Sequence, residues 1–270
     1  MPTAPPPPPR KSAQAPTPVE RKPKKFTVSN VSCTNGQAIV IYGTGGVGKT
    51  SLASLAPSPI FLNLDRDESK TNIRQVNGVE TFVDMRDALR DEGIWKDCKT
   101  VVVDTATQAQ QLAENYTLET VPHEKGHRVS SIEGYGYGKG YQFVLETFRL
   151  LLADLDRHKR AGRNVVLVCH STTSMAPNPE GDDYLRYEPD LYQPPKTGRI
   201  RDAVKNWCDH MLFINYDKAV KDGKAVGAGT RTIYTQELPI FWAKSRSVNK
   251  TIQYEQGSDE IWKLILGGKQ

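Results

Sequence analysis

Five short apolar stretches recur along the chain, at residues 37–42 (QAIVIY), 60–64 (IFLNL), 100–104 (TVVVD), 164–169 (NVVLVC) and 210–214 (HMLFI). Each is short and mostly apolar, and QAIVIY, TVVVD and NVVLVC are rich in β-branched residues, as expected for strands buried on both faces of a sheet. Segments with helical periodicity lie between most of these stretches. The longest of them, residues 141–161, has one broad apolar face and is followed by Gly162, which is expected to end the helix. This alternation predicts an α/β domain with a mostly parallel, doubly wound sheet.

After residue 228 the pattern changes to segments that alternate between apolar and polar residues: RTIYTQ, PIFWAKS, TIQYE and IWKLIL. Alternation with a period of two is typical of strands with one buried face. We expect these segments to form antiparallel strands at one edge of the sheet.

The first 25 residues differ in composition from the rest of the chain. They contain 9 of the 18 prolines and six basic residues against one acidic residue, which leaves 30 basic and 30 acidic residues in the remainder. We expect a disordered or polyproline tail at 1–25 and a single neutral domain at 26–270. The tail is a solvated leader, a segment that docks a partner such as a single-strand binding protein, or a segment that contacts a phosphate backbone.

The chain carries no apolar stretch long enough for a membrane span or a signal peptide. Its four cysteines are scattered without paired spacing, which favours a reducing compartment and no structural zinc. We therefore expect a cytoplasmic protein without a membrane partner.

Residues 43–50 read GTGGVGKT and satisfy every fixed position of the phosphate-binding loop GxxxxGK[ST]. The loop follows a predicted strand and opens a predicted helix, which is the context that the motif requires. Lys49 is expected between the β- and γ-phosphates, and the Thr50 hydroxyl on Mg²⁺. The candidates for binding ATP are Gly43, Thr44, Gly45, Gly46, Val47, Gly48, Lys49, Thr50 and Ser51.

Polar residues at the ends of other strands are further candidates, because sites in open α/β sheets form beyond the carboxyl ends of strands. Asp104 ends VVVD and is expected to orient Mg²⁺ through water; the alternative is a helix cap. Asp65 and Glu68 follow IFLNL, where a carboxylate can activate the attacking water or simply be solvated. His170 either senses the γ-phosphate or is satisfied by neighbouring backbone.

One further string is discounted. HEKGH at residues 123–127 matches the zinc-peptidase pattern HExxH, which needs both histidines on one helical face. Pro122 and Gly126 disfavour a helix there, so we expect no zinc site.

The ordered set GTGGVGKTS, FLNLDRDE, VVVDT, VVLVCHS and FWAKSR resembles the RecA-like ATPases carried by bacteriophages, including the Sak-type single-strand annealing proteins, over about residues 36–255. The resemblance implies a RecA core, active sites shared between protomers of a homo-oligomer, and action on single-stranded DNA. It implies that Asp65 is the catalytic carboxylate and that His170 couples nucleotide state to DNA loops. It also implies that Lys244 and Arg246 reach the neighbouring protomer's γ-phosphate; the alternative for this pair is a solvated strand end.

Two DNA-contacting loops are implied by the resemblance, at residues 123–141 and 172–198. The first contains EGYGYGKGY, in which Tyr135, Tyr137 and Lys139 suit stacking on unpaired bases, although a lid or linker fits as well. The second is acidic and would repel phosphates, although Arg199 and Arg201 follow it.

Together these features predict an ATP-hydrolysing, Mg²⁺-dependent, RecA-like oligomer that acts on single-stranded DNA in phage recombination or replication. Adenine is preferred because no NKxD-type guanine-reading segment occurs. The alternatives are a nucleotide-gated DNA scaffold with little hydrolysis and a small-molecule kinase that uses the same loop.

Overall fold

The computed structural model of the protein describes residues 35–65, 72–221 and 224–267, and only the backbone of residues 218–221 and 224–228. The predicted tail at 1–25, the first residues of the predicted domain and Glu68 therefore lie outside the described residues.

The described strands are β1 (Ala38–Gly43), β2 (Pro59–Asn63), β3 (Thr100–Asp104), β4 (Asn164–Ala176), β5 (Tyr184–Pro189), β6 (His210–Lys221), β7 (Lys224–Tyr234) and β8 (Ile252–Gln253). The described helices are α1 (Lys49–Ser54), α2 (Phe82–Arg90), α3 (Ala106–Thr120), α4 (Lys139–Arg160), α5 (Ile200–Trp207) and α6 (Glu260–Leu266), with a 3₁₀ helix at Ile132–Tyr135.

The strands form one main sheet in the order β2-β3-β4-β1-β6-β7-β8, and β5 pairs with β4 beside it. The pairs from β2 to β6 are all parallel, whereas β7 and β8 add to the edge in antiparallel fashion. β1 lies in the middle, where Gly43 is aligned with His170 on one side and Ile214 on the other. The carboxyl ends of the central strands therefore meet at one edge of the sheet.

Both faces of the sheet are covered, because β1 sends alternate side chains to two different cores. Val40 and Tyr42 pack in a cluster with residues from α2, α3, α4 and α5. Ile39 and Ile41 pack in a second cluster with residues from α1 and α6. This arrangement confirms the predicted doubly wound α/β sheet with antiparallel edge strands.

Helix α4 ends as its sequence predicts. Gly162 adopts a left-handed φ of +84° and its N–H bonds to the Lys159 carbonyl, which closes the last turn. Helix α2 was not predicted; it begins with a capping box in which Thr81 and Asp84 satisfy each other's backbone N–H groups.

The predicted edge strands are only partly correct. RTIYTQ and TIQYE contribute to β7 and β8, but within PIFWAKS the pairing is limited to isolated bridges such as Lys244 with Met211. IWKLIL is not a strand, because it forms α6. The Trp262 indole donates to the Leu52 carbonyl at 2.8 Å, which fastens α6 to α1.

The predicted loop at residues 172–198 is also partly wrong. β4 continues past the parallel sheet to Ala176, and its second half pairs in antiparallel fashion with β5. Two-thirds of the predicted loop, residues 172–189, is thus a β-hairpin.

Among the residues that the structure describes, no helix has the length and apolar character needed to span a bilayer.

Candidate nucleotide-binding site

The phosphate loop, residues 43–50, joins the carboxyl end of β1 directly to α1. Gly46 and Gly48 have φ angles of +72° and +101°, which residues with a side chain rarely adopt. A Cβ on Gly45 or Gly46 would have no atom within 4 Å, so the loop borders open space on that side. The chain therefore folds into a glycine-dependent turn that exposes its backbone to a cavity.

This cavity has a volume of about 260 Å³ and brings together most of the residues predicted to bind or hydrolyse the nucleotide. Asp65, Asp104 and His170 line it together with the glycines, Lys49, Thr50 and Ser51 of the loop. The lining also includes three residues that the sequence did not single out: Asn63, Ile73 and Thr105. Thr105 could have been suspected, because it directly follows Asp104 at a strand end.

Lys49 is 6% exposed and folds back onto the loop. Its ammonium group donates to the carbonyls of Gly43 at 3.0 Å and Thr44 at 2.9 Å. Burial lowers the pKa of Lys49, and the negative charge of Asp104 opposes that shift. The cation is therefore held in place beside the cavity by weak carbonyl acceptors that a phosphate oxygen can replace.

Thr50 and Asp104 form the second element of the site. The Thr50 hydroxyl donates to Asp104 Oδ2 at 2.7 Å. Burial raises the pKa of Asp104, while the hydrogen bond from Thr50 acts in the opposite direction. A hydroxyl and a buried carboxylate are oxygen donors of the kind that Mg²⁺ prefers, so this pair fits a magnesium ion.

Asp65 lines the cavity and has two hydrogen-bond partners among its neighbours. The Thr105 hydroxyl donates to one carboxylate oxygen at 2.9 Å, and His170 Nε2 lies 3.3 Å from the other. Both Asp65 and His170 are partly exposed, at 30% and 45% of the side chain. The structure thus pairs the two predicted residues, while their roles in hydrolysis stay predictions.

Two residues that the sequence did not single out reach the phosphate loop from β6 and β7. The Tyr216 hydroxyl donates to the Gly46 carbonyl, and the Arg231 guanidinium donates to the Val47 carbonyl. Nothing local in the sequence marks them, since Arg231 occupies an ordinary strand position.

Lys244 and Arg246 do not lie in this cavity. The backbone of Lys244 pairs with Met211, one residue into β6, whereas the phosphate loop follows the opposite end of the parallel strands. Arg246 forms an ion pair with Asp209 at 2.9 Å, and its side chain is 74% exposed. The pair is remote from the protomer's own phosphate loop, and its action on a neighbouring protomer stays a prediction.

The expected DNA contacts of Tyr135 and Arg201 stay a prediction, which the burial of both side chains disfavours. The Tyr135 hydroxyl donates to the Val121 carbonyl at 2.6 Å, and its ring packs on Phe143. The Arg201 guanidinium is paired with buried Glu188. Neither can stack on a base or reach a phosphate without leaving the core.

The other DNA candidates lie at the surface. Tyr137 is fully exposed in the glycine-rich turn before α4. Lys139 forms an exposed ion pair with Glu124 at 2.6 Å, and Arg199 one with Asp202 at 3.1 Å. Such pairs exchange readily with solvent and with other anions.

The HEKGH segment is not helical, as predicted, and it contains a turn. The Gly126 N–H bonds to the His123 carbonyl, and the rings of His123 and His127 stack at 4.5 Å. Within the described ranges, no group of three or more His, Cys, Asp or Glu residues is arranged to hold a metal ion.

A profile of the AAA domain family matches residues 35–247, which is most of the chain and spans the whole cavity. The chain belongs to the AAA domain family. Its phosphate loop and cavity are those of a P-loop ATPase domain, a class that binds a nucleotide, usually with Mg²⁺.

Among solved structures, the KaiC-like protein PH0186 from the hyperthermophilic archaeon Pyrococcus horikoshii OT3 is similar, with 13% sequence identity and a TM-score of 0.42. The similarity covers 83% of this AAA domain chain and 88% of that protein. No curated protein sequence matches the chain.

Proposed function

We propose that this AAA domain protein hydrolyses ATP with Mg²⁺ in the cavity beside residues 43–50. The observation that carries the proposal is the convergence of Lys49, the Thr50–Asp104 pair and Asp65 on one cavity, from three separate strand ends. A phosphate loop alone would account for binding. The additional carboxylates supply what metal positioning and hydrolysis require.

Lys49 and the loop account for holding the triphosphate. Backbone N–H groups of a glycine-rich turn surround phosphate oxygens, and Lys49 adds a positive charge from a buried position. In a buried site this charge is weakly screened, so it acts strongly on the negative charge that develops at the transferred phosphoryl group.

Thr50 and Asp104 account for the metal. A Mg²⁺ ion held there would neutralise negative charge on the phosphates. The Thr50 hydroxyl, which donates to Asp104, would turn an oxygen lone pair toward the ion, and Asp104 would accept hydrogen bonds from the water around it.

Asp65 is the proposed acceptor for the proton of the attacking water. Thr105 and His170 fix the orientation of its carboxylate, which still has lone pairs free to accept a further hydrogen bond. Asp65 and His170 also line a second cavity of about 350 Å³, which gives water a route to the carboxylate. The geometric requirement for a general base is hydrogen-bond reach to the water, and a partly exposed Asp65 meets it.

The finer part of the proposal is that the protein works as a RecA-like oligomer on single-stranded DNA, as in phage recombination or replication. Fully exposed Tyr137 beside Lys139 supports a contact with unpaired bases. The distance of Lys244 and Arg246 from their own phosphate loop is compatible with a role at a neighbour's site.

The test is steady-state phosphate release by the full chain, with and without single-stranded DNA, at two salt concentrations. Lys49→Ala should abolish release, whereas Lys96→Ala, a matched change at an exposed lysine, should not. Single-stranded DNA should raise the rate of the wild type, and more so at low salt. Equal release by Lys49→Ala and wild type would refute hydrolysis at this site, and a rate indifferent to DNA at both salt concentrations would remove the DNA part alone.

A further inference from the structure

Strands β6 and β7 continue beyond the main sheet as a two-stranded ribbon. β1 pairs with β6 only as far as Ile214, whereas β6 runs on to Lys221 and pairs there with β7 alone. Ile214 is aligned with Gly43, the first residue of the phosphate loop. The ribbon therefore starts beside the loop, and we call Tyr216 and Arg231, which face each other across it, the ribbon base.

The ribbon base donates two hydrogen bonds to consecutive carbonyls of the phosphate loop. The Tyr216 hydroxyl lies 3.0 Å from the Gly46 oxygen. Arg231 Nη1 lies 3.1 Å from the Val47 oxygen. Both bonds join residues separated by 170 or more positions in the sequence, so they depend on the tertiary fold.

These two carbonyls fix the direction of two amide N–H groups. The Gly46 carbonyl shares a planar trans peptide with the Val47 N–H, and the Val47 carbonyl shares one with the Gly48 N–H. In such a peptide the C=O and N–H bonds point in opposite directions. Donors that hold the carbonyls on the ribbon side therefore turn both N–H groups away from it, and the Val47 N–H already points across the loop at the Thr44 oxygen, at a long 3.4 Å.

Arg231 is itself held in a fixed position. Its guanidinium lies over the ring of Tyr254 at 5.4 Å and over that of Tyr216 at 5.9 Å. The Tyr254 N–H bonds to the Arg231 carbonyl at 2.7 Å. A Cβ on Gly48 would lie only 2.8 Å from Arg231 Nη1, so the guanidinium packs directly against the loop. Its positive charge adds to the attraction of the loop for a polyphosphate.

We propose that Tyr216 and Arg231 are positioning residues that hold the Val47 and Gly48 amides ready for the phosphates of the nucleotide, an inference that rests on the proposed function. They touch the loop and not the reacting atoms. The amides of a phosphate loop surround the α- and β-phosphates, which ADP and ATP share. Loss of the ribbon base therefore weakens ground-state and transition-state binding equally, which raises KM and leaves kcat unchanged.

The experiment measures the Kd of MgATP and MgADP by calorimetry, together with kcat and KM, for Arg231→Gln, Arg231→Lys and Tyr216→Phe. We expect Arg231→Gln to weaken both nucleotides about tenfold and Tyr216→Phe about threefold, from the usual strength of charged and neutral hydrogen bonds. Arg231→Lys keeps the positive charge but loses the planar guanidinium, so its Kd values should lie between those of the wild type and Arg231→Gln. Arg149→Gln, at an exposed position of α4, is the matched control and should bind as the wild type does.

Several results would overturn the inference. Unchanged Kd values in both Arg231→Gln and Tyr216→Phe would contradict it. A fall in the kcat of Arg231→Gln with KM unchanged would also contradict it, because Arg231 would then act in the chemical step. If Arg231→Gln fails to fold, Tyr216→Phe decides the matter, because it removes one hydroxyl at a partly exposed position. Wild-type protein that binds no ATP would refute the proposed function as well, whereas wild-type binding with unaffected variants would refute this inference alone.

Discussion

His210 should make the stability of the domain depend on pH in the mildly acidic range. The side chain is 1% exposed, and its Nδ1 lies 2.8 Å from the Ser245 hydroxyl. Burial lowers the pKa of His210 from 6.5 to about 4; the charge of Asp209 opposes the shift, and the cations of Arg246 and Lys244 reinforce it. The ring is therefore neutral in the folded protein at pH 5 to 8.

The direction of this pH effect depends on whether the folded or the unfolded chain binds the proton more tightly. Because the pKa of His210 is lower in the folded than in the unfolded chain, the unfolded chain binds the extra proton first as the pH falls below 6.5. The free energy of unfolding is thus unaffected above that pH and declines as the pH falls toward 4. The loss is about 0.8 kcal/mol at pH 6 and about 2 kcal/mol at pH 5, with a limit of about 3 kcal/mol.

The assay is urea unfolding at pH 8, 6 and 5 for wild type and His210→Asn, whose amide can still bond to Ser245. The variant should be less stable at pH 8 because it packs less well, but its stability should fall less on acidification, by about 2 kcal/mol at pH 5. His158, whose pKa burial also lowers, is present in both proteins and cancels in the comparison. Parallel curves for the two proteins from pH 8 to pH 5 would refute the reasoning.

Two further changes have defined outcomes. Asp104→Asn keeps the shape of the acceptor for Thr50 but removes its charge, so phosphate release at limiting Mg²⁺ should fall about 10- to 100-fold while the protein stays folded; undiminished release would contradict the metal assignment. Arg201→Met removes one of the two cations paired with Glu188, which is 2% exposed and keeps its ion pair with the partly exposed Arg186, and should lower the free energy of unfolding by about 2 kcal/mol. The control Arg199→Met breaks an exposed pair and should cost less than about 1 kcal/mol; equal losses in the urea midpoint would contradict this view of the buried pair.

The sequence predicted those features that local pattern determines. Buried parallel strands need continuous apolar runs, and a phosphate loop needs glycines at fixed spacing, so β1 to β4 and residues 43–50 were visible without the fold. The placement of Asp65, Asp104 and His170 around one cavity followed from a general rule about strand ends.

Local pattern failed where a partner distant in the sequence decides the outcome. Tyr135 lies in a glycine-rich segment that is typical of an exposed loop, yet its side chain is buried and its hydroxyl donates a hydrogen bond to the Val121 carbonyl. Arg201 was expected at the surface, but Glu188 holds it buried. The segment IWKLIL is too short for its hydrophobic periodicity to distinguish a strand from a helix. It forms a helix because Trp262 packs against α1 and donates a hydrogen bond to the Leu52 carbonyl.

β4 has one consequence that extends beyond the cavity. Its parallel pairing ends at His170, and its antiparallel pairing with β5 begins at the next residue, so one unbroken backbone serves both sheets. The hairpin beyond His170 extends for six residues, about 20 Å, and presents the apolar pair Met175 and Leu185 to solvent near its tip. The strand that carries His170, whose imidazole lies 3.3 Å from Asp65 in the cavity wall, is thus the same strand that supports this exposed apolar pair.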